Sequence, residues 1–163
     1  MTVTPVRLDS VADVRLGRQR SPKDHDGPTM RPYVRAANVG WDGWKLDDVK
    51  SMNFTDDEMA VYRLHPGDLL LGEASGSAAE VGKPALWTGE VEECAFQNTL
   101  IRVRPRGPEP RYLLHYFKYL ASTGKFAARS RGAGINHLGS ETLASWMVPR
   151  PRIEEQRRIA AVL

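Results

Sequence analysis

A single cysteine, Cys94, stands in the 163 residues, so the chain cannot close a disulfide on itself, and a reducing compartment is expected. The four histidines, His25, His65, His115 and His137, are scattered, and with one cysteine they give no zinc-ligand spacing. No apolar run approaches the ~20 residues that a membrane-spanning helix needs. The start, Met1-Thr2-Val3-Thr4-Pro5, lacks the charged and apolar regions of a secretory leader. The expected location is therefore the cytoplasm, with no membrane partner.

Catalytic signatures are missing as well. Gly76 to Lys83 looks superficially like a phosphate loop, but five residues separate Gly76 from Gly82 where the motif has four, and Pro84 stands where a hydroxyl should hold magnesium. Gly132-x-Gly134 has His137 in place of a third glycine and follows no strand, so it is not a dinucleotide fingerprint. Asp68, Glu73, Glu80 and Lys83 do not keep the spacing of a nuclease metal cluster, and structural carboxylates are expected there. There is no Gly-x-Ser-x-Gly and no Asn-Pro-Pro-Tyr. Cys94 reads as a small core residue rather than a nucleophile. No enzyme activity, cofactor or metal is expected.

What is present is a globular composition, 41% hydrophobic and 26% charged, at a length that suits one domain with a real core. The net charge of +3 hides an asymmetry. Residues 1–105 hold 13 Lys/Arg against 16 Asp/Glu, net −3, and residues 106–163 hold 10 against 4, net +6. A basic half suggests a polyanion, because each cation that meets a phosphate releases condensed counterions; a merely solvated face is the competing reading.

The pattern changes at the same place. Before Pro105, short strand-like pieces are separated by turns, which predicts a barrel- or sandwich-like sheet part. Glu93–Pro105 is the densest of these pieces. Its alternation puts Arg102 and Arg104 on one face and Val103 on the other, predicting one dry and one basic, wet face. Leu69–Glu73 reads as a fully buried strand, and the acids Asp56-Asp57-Glu58 suit the first turn of a short helix. Asp9 and Ser10 predict a short helix over Ser10–Asp13, ahead of a strand at Val14–Leu16. Arg18–Thr29 is polar, either an exposed connector or a finger for a groove.

After Gly107, Tyr112, Leu113, Tyr116, Phe117 and Leu120 recur at helical spacing, predicting an amphipathic helix over Pro110–Ser122. Phe126–Arg131 continues as a second helix, and Ser140 is expected to cap Glu141–Ser145. Trp146–Pro149 reads as a closing strand. Glu154–Leu163 begins a helix too short to stand alone, since isolated helices need ~12–15 residues, so it wants a partner surface. The predicted class is α+β: a sheet-rich N-terminal part followed by a mixed helical C-terminal part, ending in the start of a longer helix.

Several pieces in order resemble the target recognition domain of a type I restriction–modification specificity subunit. They are Pro32-Tyr33-Val34-Arg35-Ala36-Ala37-Asn38-Val39, Leu64-x-Pro66-Gly67-Asp68-Leu69-Leu70, Val81-Gly82-Lys83-Pro84-Ala85, and Cys94-Ala95-Phe96-Gln97-Asn98-Thr99-Leu100-Ile101-Arg102-Val103. Gly134-Ile135-Asn136-His137-Leu138 and Val148-Pro149-Arg150-Pro151-x-x-Glu154-Glu155-Gln156-x-x-Ile159 complete the set.

The resemblance implies sequence-specific recognition of double-stranded DNA, one half of a split target, with residues 1–151 as the recognition domain (sheet-rich to about 105) and 152–163 as the start of a spacer and docking helix. It implies methyltransferase and restriction subunits as partners that carry the chemistry, and self-association through the last helix if it is longer in the native protein. A full specificity subunit of this kind has two such domains and two long helices, so the chain reads as a fragment, a half-subunit or a truncated product. The competing reading is a protein-interaction module that docks a methyltransferase with little DNA affinity. A small nuclease using Asp68 and Glu73 is a third.

The residues expected at phosphates are Lys118, Lys125, Arg129 and Arg131. Those expected at base edges lie in the loops of Arg18 and Arg20, Ser75 and Ser77, and Asn136 and His137. Phe96, Gln97 and Asn98 are expected to hold the scaffold. Gln156, Ile159 and Leu163 are expected to face a partner.

Overall fold

The computed structural model describes residues 3–130 and 134–163. In chain order the strands and helices are β1 (Pro5–Arg7), β2 (Ala12–Leu16), β3 (Met30–Val34), β4 (Val39–Gly40), β5 (Gly43–Trp44), β6 (Lys50–Asn53), α1 (Asp56–Tyr62), β7 (Leu69–Gly72), β8 (Ala74–Ser75) and β9 (Pro84–Leu86). They continue with β10 (Ala95–Phe96), β11 (Leu100–Pro105), α2 (Pro110–Ser122), α3 (Lys125–Ala128), β12 (Asn136–His137), α4 (Ser140–Ala144), β13 (Met147–Pro149) and α5 (Ile153–Val162). The class is mixed α+β. Among the described residues the strands form small open sheets, and no ring of strands closes into a barrel.

The main sheet has the order β2-β11-β7-β9, all antiparallel. β11 is central, and its alternation sorts its side chains between two cores. Ile101 and Val103 join Leu69 and Leu71 under α2 and α3, against Leu113, Phe117 and Phe126. Leu100 points the other way and joins Leu70, Phe96 and Trp87. Both faces of this sheet are therefore covered.

That covering overturns the wet basic face expected for β11. Arg102 is 4% exposed and Arg104 is half-buried. Both reach the C-terminal end of α1, whose last carbonyls lack helical partners. Arg102 Nη1 donates to Val61 O at 2.8 Å and Arg104 Nη2 to Arg63 O at 3.0 Å. Arg104 also forks onto both oxygens of buried Asp68, at 2.7 and 2.9 Å. Asp68 further accepts from the backbone N–H of His65 at 2.7 Å, so its carboxylate is structural. Burial, with Arg104 nearby, pushes the Arg102 guanidinium down to about 10.

Other local expectations shift by a few residues. The helix expected at Ser10–Asp13 is a 3₁₀ turn over Leu8–Ser10, and extended chain begins at Ala12. Pairing of five β2 residues with β11 outweighs the local capping signal. Ser140 does not cap α4: the cap position is Gly139, at φ +76°, and Ser140 is the first helical residue. The acids of Asp56–Glu58 do open a helix, closed by a reciprocal Thr55–Glu58 capping box at 3.0 and 3.1 Å. α2 has the predicted bounds, and α5 finds its partner surface on α2. No described helix is long and apolar enough to cross a membrane.

Candidate nucleic-acid interface

Two loops singled out for base edges meet in space. β8 and β12 pair antiparallel, with Ser75 opposite Asn136 and Ala74 opposite His137. The ribbon is anchored at Glu73, whose N–H donates to Thr99 O at 2.9 Å and whose carbonyl accepts from Leu138 N–H at 2.7 Å. It thus hangs from the ends of β7 and β11, the two central strands of the main sheet. Neither segment has strand-forming residues of its own. Gly76 and Gly134 flank the pairing, and Gly134 adopts φ +84°, a conformation glycine takes without strain.

The ribbon's side chains are partly ordered by one another. Ser75 Oγ accepts from Ser77 N–H at 3.0 Å, Ser130 Oγ donates to Asn136 Oδ1 at 3.1 Å, and His137 Nδ1 lies 3.1 Å from Glu73 Oε2. Ser77 and His137 are exposed, and Ser75 and Asn136 half-exposed. Hydroxyl, amide and imidazole groups supply the donors and acceptors that distinguish base edges, and a two-stranded ribbon fits the major groove.

The third expected reading segment is divided. Arg18 is 8% exposed, and its guanidinium is held inside the domain. It contacts Asp24 at 2.9 Å, Glu58 at 2.6 Å and the carbonyl of Asn53, over the ring of Phe54 at 4.6 Å. Arg18 therefore closes the loop onto α1 and does not enter a groove. Arg20, two residues on, is exposed.

The phosphate candidates fall into two places. Lys125 and Arg129 bracket α3, at the root of the β12 loop; Lys125 lies over Tyr119 at 5.8 Å and Arg129 over Trp146 at 4.3 Å. Lys118 lies on α2 beside Leu114 and Arg111, facing Trp41 and Trp44. Arg131 lies outside the described residues. Among the described residues, Lys118, Lys125 and Arg129 form no ion pair, whereas Arg18, Arg31, Arg35, Lys50, Arg63, Lys83 and Arg104 of the first part each meet a carboxylate.

Phe96-Gln97-Asn98 is a backbone crossing. Arg18 N–H donates to Phe96 O at 3.1 Å, Gln97 N–H to Val34 O at 3.0 Å and Asn98 N–H to Arg18 O at 3.0 Å. The Gln97 side chain accepts from Thr99 Oγ1 at 3.1 Å, and Thr99 Oγ1 accepts from Ala36 N–H at 3.0 Å. Phe96 is fully buried. Cys94 is buried too, and desolvation pushes its thiol up to about 12, so it is a packing residue. No group of three or more metal-binding side chains occurs among the described residues.

Gln156 does not face outward. It is 2% exposed, accepts from Glu109 N–H at 2.8 Å and donates to Pro151 O at 2.8 Å, tying the start of α5 to the cap of α2. Ile159 packs on the main core, while Leu163 is 72% exposed. Trp146 under Arg129, and Glu73 as the ribbon's anchor, were not legible as site residues. Each acts through a residue distant in sequence, and no spacing marks such a pair.

Fold and site together describe an α+β domain that presents a polar ribbon beside Lys125 and Arg129, which form no ion pair among the described residues. The chain belongs to the type I restriction modification DNA specificity domain family, whose model matches residues 2–163. It is 28% identical over 124 residues to the protein assigned as the type I restriction enzyme MjaX specificity subunit in Methanocaldococcus jannaschii, covering 71% of this chain and 29% of that one. It is 30% identical over 102 residues to the type I restriction enzyme StySPI specificity subunit of Salmonella potsdam, covering 62% of this chain and 22% of that one. Among solved structures, the HsdS subunit from Thermoanaerobacter tengcongensis matches with TM-score 0.66 and 25% identity, over 97% of this chain and 35% of that one. A chain in a structure of type I R-M complex assembly shares the fold, with TM-score 0.70 and 24% identity, over 97% of this chain and 36% of that one. The chain thus spans about a third or less of the length of these relatives.

Proposed function

We propose that this domain reads one half of a split double-stranded DNA target and so directs a methyltransferase and a restriction subunit that carry the chemistry. Residues 1–151 form the reading unit and residues 152–163 begin the spacer helix. The observation that carries this reading is the β8–β12 ribbon. Two polar, glycine-flanked loops, 61 residues apart at Ser75 and Asn136 in sequence, are paired at one edge of the scaffold. Lys125 and Arg129 stand at the root of one of them, without an ion pair among the described residues. Phosphate contacts from such cations position the protein, and the ribbon's side chains supply the sequence information.

The test is duplex binding across a salt series. Replacing Lys125 or Arg129 by Ala is expected to weaken binding to all duplexes alike and to flatten the log–log salt dependence by ~1 per lost phosphate contact. Replacing Ser75 or Asn136 is expected to leave that slope alone and to change which sequence is preferred. Absence of duplex binding at low salt contradicts the reading.

A further inference from the structure

We infer that Trp146 is a positioning residue for DNA recognition: it holds the Arg129 guanidinium over its ring and ready for a phosphate, and with Phe126 it locks the roots of both reading loops to that arginine. The inference rests on the recognition reading above and adds to it a residue that touches no DNA.

The geometry is a short stack. Arg129 is exposed, yet its guanidinium carbon lies 4.3 Å from the centre of the Trp146 ring. No described carboxylate or carbonyl accepts from that guanidinium. An exposed arginine ordinarily samples many rotamers, and fixing them costs free energy on binding. Packing over the indole face restricts those rotamers beforehand, while the guanidinium N–H groups keep no described acceptor and stay available to a phosphate.

The support beneath Trp146 reaches both loops. Trp146 is 6% exposed and meets Phe126 edge-on, with ring centres 4.9 Å apart. Phe126 is fully buried, and its ring fills the space at Gly82, where an added Cβ would sit 2.3 Å from Cδ2. Gly82 ends the loop that contains β8. On the other side, Ser130 follows Arg129 directly and ties to Asn136 of β12. One aromatic pair therefore underlies the end of the first loop, the beginning of the second and the cation between them. Lys125, on the opposite end of α3, has no such support beyond Tyr119 at 5.8 Å.

The experiment is a double-mutant cycle on the full chain, read as affinity and salt slope for a fluorescent random-sequence duplex. Arg129→Ala is expected to flatten the slope by about one. Arg129→Lys keeps the charge but not the planar stack, and is expected to keep the slope while weakening binding about two- to fivefold. Trp146→Leu is expected to match Arg129→Lys in both respects, Trp146→Phe to restore most of the loss, and Trp146→Leu with Arg129→Ala to bind no more weakly than Arg129→Ala alone. Additive losses in that cycle overturn the inference while leaving the recognition reading intact; an unchanged slope in Arg129→Ala overturns the inference and removes Arg129 from the phosphate contacts of that reading, whose base-reading part is tested separately at Ser75 and Asn136. If Trp146→Leu does not fold, the Arg129→Lys and Trp146→Phe comparisons decide, and equal affinity of Arg129→Lys and wild type overturns it. Failure of the wild-type chain to bind any duplex overturns both.

Discussion

At the scale of single residues, the scaffold depends on close approaches and buried charges that a sequence does not advertise. Gly17 is the clearest case: a Cβ there would lie 2.1 Å from Gln97 O, at the crossing of β2's exit with Phe96-Gln97-Asn98. Gly17→Ala is therefore expected to destabilise the domain by about 1–3 kcal/mol, measurable as a lowered denaturant midpoint at unchanged slope. Two histidines make stability depend on pH. Burial lowers the pKa of His65, with Arg104 adding to it, and burial lowers that of His115, with Lys118 and Arg111 adding to it. Because the folded values lie below the unfolded value near 6.5, the unfolded chain binds more protons in that range. Stability is thus fully present above pH ~6.5 and falls as the pH drops through that value toward the folded ones. His115→Gln should reduce the acid-side fall in melting temperature; an unchanged pH profile would remove His115 from the explanation.

At the scale of elements, what a segment does was readable wherever its neighbours are local. The spacing of Tyr112, Leu113, Phe117 and Leu120 gives α2 its bounds because the apolar stripe is a property of that segment alone. β11 was legible as a strand but not as a buried one. Arg102 and Arg104 look solvated until α1, some forty residues earlier in the chain, is placed over them with its carbonyls unpaired. The β8–β12 ribbon escaped for the same reason, since neither glycine-flanked half has a pattern and each is a strand only against the other. Gln156 is expected to dock a partner only through the family resemblance of the last helix, whereas its amide bridges Glu109 and Pro151. Gln156→Leu leaves both part-buried backbone groups without this partner, and is expected to cost about 1–3 kcal/mol and to loosen α5 first, seen as faster amide exchange there than in α2. Thr55→Ala, which opens the α1 capping box, is expected to cost about 1 kcal/mol in denaturant unfolding.

At the scale of the whole molecule, the asymmetry of charge acquires a structural meaning. The first part uses most of its cations internally, in pairs such as Arg18 with Asp24 and Glu58 and Arg104 with Asp68. The second part leaves Lys118, Lys125 and Arg129 without carboxylate partners among the described residues, the last two at the root of a ribbon of hydroxyl, amide and imidazole groups and Lys118 apart from it on α2. That arrangement supports the proposed function, in which the domain reads DNA and other subunits supply the chemistry. The most direct measurement of this claim is selection of duplexes from a random-sequence library by the chain alone, followed by sequencing of the bound fraction. The prediction is reproducible enrichment of one short motif at fixed positions, altered at individual positions by Ser75→Ala or Asn136→Ala and kept, at lower affinity, by Arg129→Ala. Duplex retention without any enriched motif, or a motif indifferent to Ser75 and Asn136, would contradict it.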